Sequence, residues 1–452
     1  MKRILGPGAA LAPEPSNLVD QPETSSLRAW ASLGVLLLLY ALAYFDRQII
    51  ALMVRDLRRD LHLSDFKIGL LQGLAFVLLY SVFGLVFGYA ADRYRRRRLI
   101  ALGVTVWACG ILASGFAQTF LELFAARMLV GFGEAALLPA SFSMISDLFP
   151  RGRLTFAFSL YSIGAQVGAQ GSLVLGGLLL KWGQGGVAVP FLGVLADWRF
   201  AFVVASLPAF AAIPLVLLVP EPKRRQIGTA GGANWAQVLR FIMARRAFFA
   251  CHFVGFGCLM ALTAARLEWL PTLLQRRYLW PIEKVGLVLG LFGMVVGSLA
   301  MLASGLIVER RVERGERDAH FRVYVVGSLM AGAAGLAFLA PTPWILFAGM
   351  VVAAMPLALG GIAAGSLRMV TPPEFRGQVY AFYQLVVGFA GLALGPAMVG
   401  WITDFWFRDP AKLYLSMTTT FLLLAPVALV AFVLGLKPMR EATEALERAG
   451  DA

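Results

Sequence analysis

Charge, cysteine and histidine are all scarce in this chain. Only 15% of its 452 residues are Asp, Glu, Lys or Arg, against about 25% in a soluble globular domain. A conventional water-facing surface is therefore excluded. Cys109, Cys251 and Cys258 each sit in an apolar run and show neither disulfide pairing nor zinc-ligand spacing, so they read as small core residues. His62, His252 and His320 are scattered, and no two share a metal-like spacing. No metal site and no cofactor is expected. The sequence contains no Gly-x-x-x-x-Gly-Lys-[Ser/Thr] and no His-Glu-x-x-His, which removes an ATP site and a zinc-protease reading. No catalytic constellation is visible, and the chain does not read as an enzyme.

What the chain has in abundance is hydrocarbon. Hydrophobic residues make up 59% of it, in runs long enough to cross a bilayer. Twelve spans are predicted. Six run about 29–54, 66–91, 98–117, 120–148, 153–180 and 198–219, and six about 245–272, 283–308, 321–340, 343–370, 375–402 and 412–436. Residues 1–28 are polar, carry prolines and lack the apolar centre of a cleaved signal. They are expected to be a disordered cytoplasmic tail ahead of an uncleaved first span. Residues 220–244, with Glu221-Pro222-Lys223-Arg224-Arg225 and a Gly-rich stretch, read as a cytoplasmic linker. It divides a bundle at 29–219 from a second at 245–436, and 437–452 reads as a cytoplasmic C-terminal tail.

The net charge of +14 invites a nucleic-acid reading, but the basic residues gather in short connections between spans. Arg93 and Arg95 to Arg98 follow the second span, Arg151 and Arg153 the fourth, and Arg310, Arg311 and Arg314 the eighth. All fall on one side of a twelve-span chain, as membrane topology prefers. An inner (plasma) membrane protein with both termini cytoplasmic is expected, with no nucleic-acid partner.

Two apolar segments carry charge where hydrocarbon should be. Asp46 and Arg47 lie deep in the first span, and Arg127 and Glu134 lie in the fourth. A charge at a helix centre costs roughly 2.5–3.5 kcal/mol on insertion scales, so such residues face cavities and mark pathways. Arg127 and Glu134 are seven apart, which two helical turns bring to one face. A carboxyl in a dry cavity resists ionisation, and a neighbouring arginine restores it. Moving the arginine between states thus loads and releases a proton. On this reading Asp46 and Glu134 are proton-coupling acids, with Glu134 the better carrier because its neighbours are apolar. Arg47 and Arg127 are their partners or contacts for an anionic headgroup. The bland alternative is a static ion pair that fixes helix packing.

The two halves echo each other. Gly88-x-x-x-Asp92-Arg93 ends the second span and Gly305-x-x-x-Glu309-Arg310 the eighth; Arg151-Gly152 opens the fifth and Arg376-Gly377 the eleventh. The offsets are about 217 and 225 residues. Parallel six-helix repeats with a site between them are a transporter design. Gly88-x-x-x-Asp92-Arg93-x-x-Arg96-Arg97 resembles the signature loop of the major facilitator superfamily. Tyr44-Phe45-Asp46-Arg47, Gly69-Leu70-Leu71-Gln72, Arg127-x-x-x-Gly131-x-Gly133-Glu134 and Ser146-Asp147-Leu148-Phe149 resemble the spinster family of sphingolipid and lysophospholipid transporters, in the manner of a bacterial member. The resemblance implies an all-α integral membrane protein of twelve transmembrane helices in two pseudo-symmetric six-helix bundles. It also implies alternating access, with the first and fourth spans lining the central cavity. Gly88, Asp92, Arg93, Arg96 and Arg97 would be a gating motif, with Asp92 and Arg93 conformational and Arg95 to Arg98 mostly topological.

The expected activity is secondary active, proton-coupled transport of a small amphiphilic lipid of the lysophospholipid or sphingosine-phosphate type, by a monomer among membrane lipids. Export of drugs or small organic anions is the alternative; a channel or a non-transporting lipid receptor stands behind both. Arg266 and Glu268 in the seventh span are candidates for an outer gate with the first-span pair, or for a local solvated bridge. Gln166, Tyr383 and Gln384 are candidates for substrate contact. No acid in the second half matches the depth of Asp46 and Glu134, so coupling is expected to be asymmetric.

Overall fold

A computed structural model describes residues 26–189, 193–224, 235–358 and 360–450. Most of the expected N-terminal tail and the middle of the linker lie outside the described residues. Nearly every described residue is helical, because a backbone in hydrocarbon must satisfy its own N–H and C=O groups. Eleven helices are long and apolar enough to cross a membrane. In order these are span 1 Leu27–Leu52, span 2 Asp65–Arg93, span 3 Arg96–Phe116, span 4 Phe120–Leu148, span 5 Gly152–Gly183 and span 6 Asp197–Leu218. The second half contributes span 7 Arg246–Arg277, span 8 Ile282–Glu313, span 9 Ala319–Leu339, span 11 Arg376–Phe407 and span 12 Pro410–Arg448. Span 10 is made of two shorter helices, Pro343–Ala354 and Gly360–Val370. Twelve crossings return the chain to the face on which it began, here called proximal; the opposite face is distal.

Outside the spans, the amphipathic Val54–Leu61 helix follows span 1 on the distal face, and Trp235–Ala244 adds a helix within the predicted linker. A small antiparallel pairing of Val187–Val189 with Gly193–Leu195 flanks the turn into span 6. The last helix does not stop where the hydropathy falls. It continues to Gly450, so described residues of the expected C-terminal tail are helical.

Several spans are interrupted, and the interruptions have local causes. Span 4 breaks after Glu134 and resumes at Leu137. Pro139, with no N–H, cannot donate to the carbonyl of Ala135. Spans 8 and 11 contain π-helical turns, at Gly293–Gly297 in span 8 and at Gln384–Gly388 and Ile402–Phe407 in span 11, a feature that clusters at functional sites. Span 2 bends at Gly73, where a Cβ would collide with the Leu392 carbonyl oxygen of span 11. On the same distal side a Cβ on Gly286 of span 8 would meet the Leu173 carbonyl of span 5. Spans 2 and 11, and spans 5 and 8, thus touch backbone to backbone and join the two halves there.

Candidate functional site: a charged centre beneath a distal seal

The four intramembrane charges meet as two crossed ion pairs between spans 1 and 4. Successive residues on a helix diverge by about 100°, so Asp46 and Arg47 find different partners. Arg127 Nη1 donates to Asp46 Oδ2 at 2.8 Å. Arg47 donates to Glu134 Oε2 through Nε at 3.0 Å and Nη2 at 2.5 Å. Asp46, Arg127 and Glu134 are buried, whereas the Arg47 side chain keeps 19% of its exposure. The Arg47 guanidinium lies over the rings of Phe76 at 4.2 Å, Tyr44 at 4.8 Å and Tyr80 at 4.8 Å. This box orients the planar fork toward Glu134. Glu134 itself sits at the last turn before the span 4 break. Gly131 and Gly133 beside it allow close approach, since a Cβ on either would strike backbone of span 2 or span 3.

Neither pair is saturated. Asp46 Oδ1, Glu134 Oε1 and Arg127 Nε have no hydrogen-bond partner. An unsatisfied buried charge is costly, so these atoms are where a proton or a polar ligand group gains most.

In the second half, Glu268 of span 7 keeps its Oε2 buried without a hydrogen-bond partner. Arg266 and Glu268 make no ion pair with each other or with Asp46 and Arg47 among the described residues. Their segment contacts the first half through backbone instead. Gln48 Nε2 donates to the Leu267 carbonyl at 3.2 Å, and Gln72 Nε2 to the Glu268 carbonyl at 3.1 Å.

Above these bonds lies a distal seal that was not anticipated. The Asp65 carboxylate, fully buried at the start of span 2, accepts from Arg276 of span 7 through Nη1 at 2.7 Å and Nη2 at 2.8 Å. Arg58 Nη1 donates to the same carboxylate at 2.9 Å. Phe66 N donates to Asp404 Oδ2 of span 11 at 2.6 Å, and Lys181 pairs with Glu283 at 3.0 Å. The signal in sequence was faint: Asp65 resembles an ordinary first-turn acid after the Ser64 cap, and Arg276 a topology charge.

On the proximal face each half closes on its own hub. Arg96 is buried and holds the start of span 3 to span 4 and the linker. It donates to Asp147, to Ser143 Oγ at 3.0 Å, to Glu221 Oε1 at 2.9 Å and to the Pro222 carbonyl at 2.7 Å. Arg97 joins it, its N–H donating to Glu221 Oε2 at 2.9 Å. Asp92 and Arg93 are exposed, Arg93 resting over the Tyr89 ring at 3.5 Å, and Gly88 has open space beside its Cα. In this conformation Arg96 and Arg97 carry the bonds of the signature loop. The second half mirrors this hub with the charges exchanged. Asp318, just before span 9, is buried between Arg322 at 2.7 Å and Arg440 at 2.7 Å, and Arg317 reaches Glu444 and Glu447. The C-terminal helical extension supplies Arg440, Glu444 and Glu447.

Of the predicted contact residues, Gln166 donates to the Gly293 carbonyl in the π-turn of span 8 at 3.1 Å. Tyr383 is buried with its ring 5.3 Å from His252, while Gln384 is exposed. The histidines are less scattered than their numbering suggests, because spans 7 and 9 bring His252 and His320 against span 10. His252 Nε2 lies 2.9 Å from Ser366 Oγ, and His320 Nε2 lies 3.0 Å from where a Gly365 Cβ would be. Among the described residues no cluster of three or more His, Cys, Asp or Glu could hold a metal ion.

Comparison with known proteins gives this arrangement a context. The chain is 28% identical to an MFS-type efflux pump of Mycolicibacterium smegmatis, over 83% of this chain and 85% of that protein. It is 27% identical to the Protein spinster of Drosophila melanogaster over 86% of this chain, spanning 64% of that protein's length. The fold matches a crystal structure of a bacterial homolog to the human lysosomal transporter Spinster, in an inward-facing and unoccupied conformation. That match has a TM-score of 0.75 and 22% identity, and it covers 93% of this chain and 98% of that one. A family model described as Major Facilitator Superfamily matches residues 36–317, so the chain belongs to that superfamily of membrane transporters, which are not enzymes, and within it resembles the spinster proteins.

Proposed function

We propose that this transporter works by proton-coupled alternating access, with Glu134 and Asp46 carrying the coupling proton and an amphiphilic, lipid-like molecule as substrate. The observation that carries the coupling is the pair of crossed ion bridges, each acid keeping one buried oxygen without a partner. Glu134 is the carrier of choice. Its partner Arg47 is the one member of the cluster that retains exposure, so Arg47 can leave toward a ligand. When it does, Glu134 is left buried without compensation and takes up a proton.

Arg47 and Arg127 suit an anionic headgroup because a guanidinium offers a planar fork of donors. We read this conformation as closed distally and open proximally. Exposure of Val86 and Tyr89 on span 2 and of Tyr380 on span 11 agrees with that reading. In the opposite state, Asp92 docks at the proximal N-terminus of span 11, where the helix dipole favours an acid. The arginine-rich proximal connections support cytoplasmic termini, and residence in the inner membrane belongs to the same proposal. The similarity to a protein named an efflux pump supports drug export as a second reading.

Reconstituted vesicles test the proposal. Flux of a lysolipid and of a small organic anion is compared with and without a pH gradient. Glu134→Gln and Asp46→Asn should each abolish gradient-driven accumulation while leaving the folded protein intact. Wild-type accumulation in both variants would overturn the coupling assignment, and flux of the organic anion alone would overturn the lipid assignment.

A further inference from the structure

A second basic site lies on the distal face, apart from the charged centre. A cavity of about 520 Å³ opens between the Val54–Leu61 helix and the junction of spans 7 and 8. Its walls include Arg55 and Arg58 from the first half, and Thr272, Gln275, Arg276 and Trp280 from the second. We propose that this cavity is an oxyanion site for a phosphate monoester, and that its occupancy holds the two halves closed on the distal face.

Charge and donor supply argue for the ligand class. Three guanidiniums border the cavity, and among the described residues Asp65 is the one carboxylate bonded to them, which leaves two more positive charges than bonded negative ones; Asp56, next to Arg55, pairs with Arg59 at 3.7 Å. That excess matches a phosphate dianion. Each guanidinium has five N–H donors; Arg58 gives one to Asp65, and Arg276 gives two to Asp65 and one to the Pro410 carbonyl at 3.2 Å. Arg55 is exposed. Thr272 is buried and its hydroxyl has no hydrogen-bond partner, so a hydroxyl stands ready beside the cationic donors. Trp280 supplies an apolar wall for the esterified carbon, and Lys284 lies over that ring at 4.2 Å.

The closing effect follows from linkage. The cations come from both halves, and the site exists only while Asp65 and Arg276 hold those halves together. A ligand that binds one state alone shifts the population toward it. A distal phosphate monoester therefore acts as a brake on distal opening. It need not be the transported substrate, and the binding readout below requires no transport.

The test uses the purified full chain at constant ionic strength, titrated with inorganic phosphate, glycerol 3-phosphate and a lysophosphatidate. Thermal unfolding and the distance between spin labels at Lys67→Cys and Arg408→Cys, with the native cysteines replaced, are followed together. Saturable stabilisation with narrowing of the distal distance distribution is expected. The double substitution Arg55→Gln with Thr272→Val, which leaves the Asp65 contacts in place, should weaken apparent affinity about tenfold. Equal responses to all three ligands assign the site to free phosphate, and a response to the lysophosphatidate alone assigns it to a lipid headgroup. No saturable response, or one unchanged in the double variant, overturns the site. Binding without any change in the distal distances overturns the closing role.

Discussion

Replacing Asp65 with asparagine should open the distal face. The side chain keeps its shape, so the change is one of charge rather than packing. Of the three hydrogen bonds that Asp65 accepts from arginine, the one from Arg58 stays within the first half, and the two from Arg276, at 2.7 and 2.8 Å, cross between halves. Only the crossing bonds differ between open and closed states. Asparagine offers one acceptor oxygen where aspartate offers two, so one crossing bond is lost and its Arg276 N–H is left facing an amide NH2; a bond to a charged group contributes about 1.5–3 kcal/mol. The closed state loses about 2 kcal/mol, which is a shift of roughly 30-fold in the open-to-closed ratio. Pulsed electron paramagnetic resonance between labels on the distal ends of spans 2 and 11 reads that ratio. Arg277→Gln serves as the control, because Arg277 donates to the Leu339 carbonyl within its own half. An Asp65→Asn ratio within about threefold of wild type, or an equal shift in Arg277→Gln, would refute the reasoning that salt-bridge geometry sets this equilibrium.

Three further outcomes are expected. Arg47→Lys keeps the charge but loses the planar fork and its ring box, at a cost of about 1–2 kcal/mol; gradient-driven flux should fall roughly tenfold, and unchanged flux would show that the fork is dispensable. Gly73→Ala should disfavour distal closure through its clash with the Leu392 carbonyl, whereas Gly84→Ala, with open space around it, should not; overpacking of this kind costs about 1–3 kcal/mol, and equal behaviour in the label-distance assay would remove the packing argument. Burial opposes ionisation of Asp318, but hydrogen bonds from Arg322 and Arg440 and the charges of both arginines outweigh it and hold the carboxyl below its ordinary pKa. A depressed folded pKa means stabilisation that is present above the unfolded value of about 3.9 and fades as pH falls through the folded one. Protection against hydrogen exchange at the proximal end of span 12, taken relative to the intrinsic rate at each pH, should therefore fall below about pH 4 in wild type, and be low and flat with pH in Asp318→Asn.

Much of the architecture was legible because hydrocarbon imposes a simple rule. A run of about 20 apolar residues must become a helix that satisfies its own backbone, and arginines collect in the connections. The spans followed from this. So did the importance of Asp46, Arg47, Arg127 and Glu134, since charge at that depth is too costly to be incidental. The helical end of the chain was not legible from hydropathy. Residues 437–450 are anchored by ion pairs of Arg440 with Asp318 and Glu444 with Arg317 and by burial of Met439 and Ala442, and the ion pairs leave no mark on an apolar count.

What the sequence determined by itself is that the chain crosses the membrane repeatedly in two related halves, and that four charges lie within spans 1 and 4. Both are properties of single segments, set by the free energy of moving each residue from water into lipid. Tertiary structure decided the pairing: Asp46 with Arg127 rather than its neighbour Arg47, Arg47 with Glu134, and Asp65 latched to Arg276 across 211 residues. Pair energies depend on distance and on which groups lose water together. Those are facts about how helices pack, and no segment carries them alone.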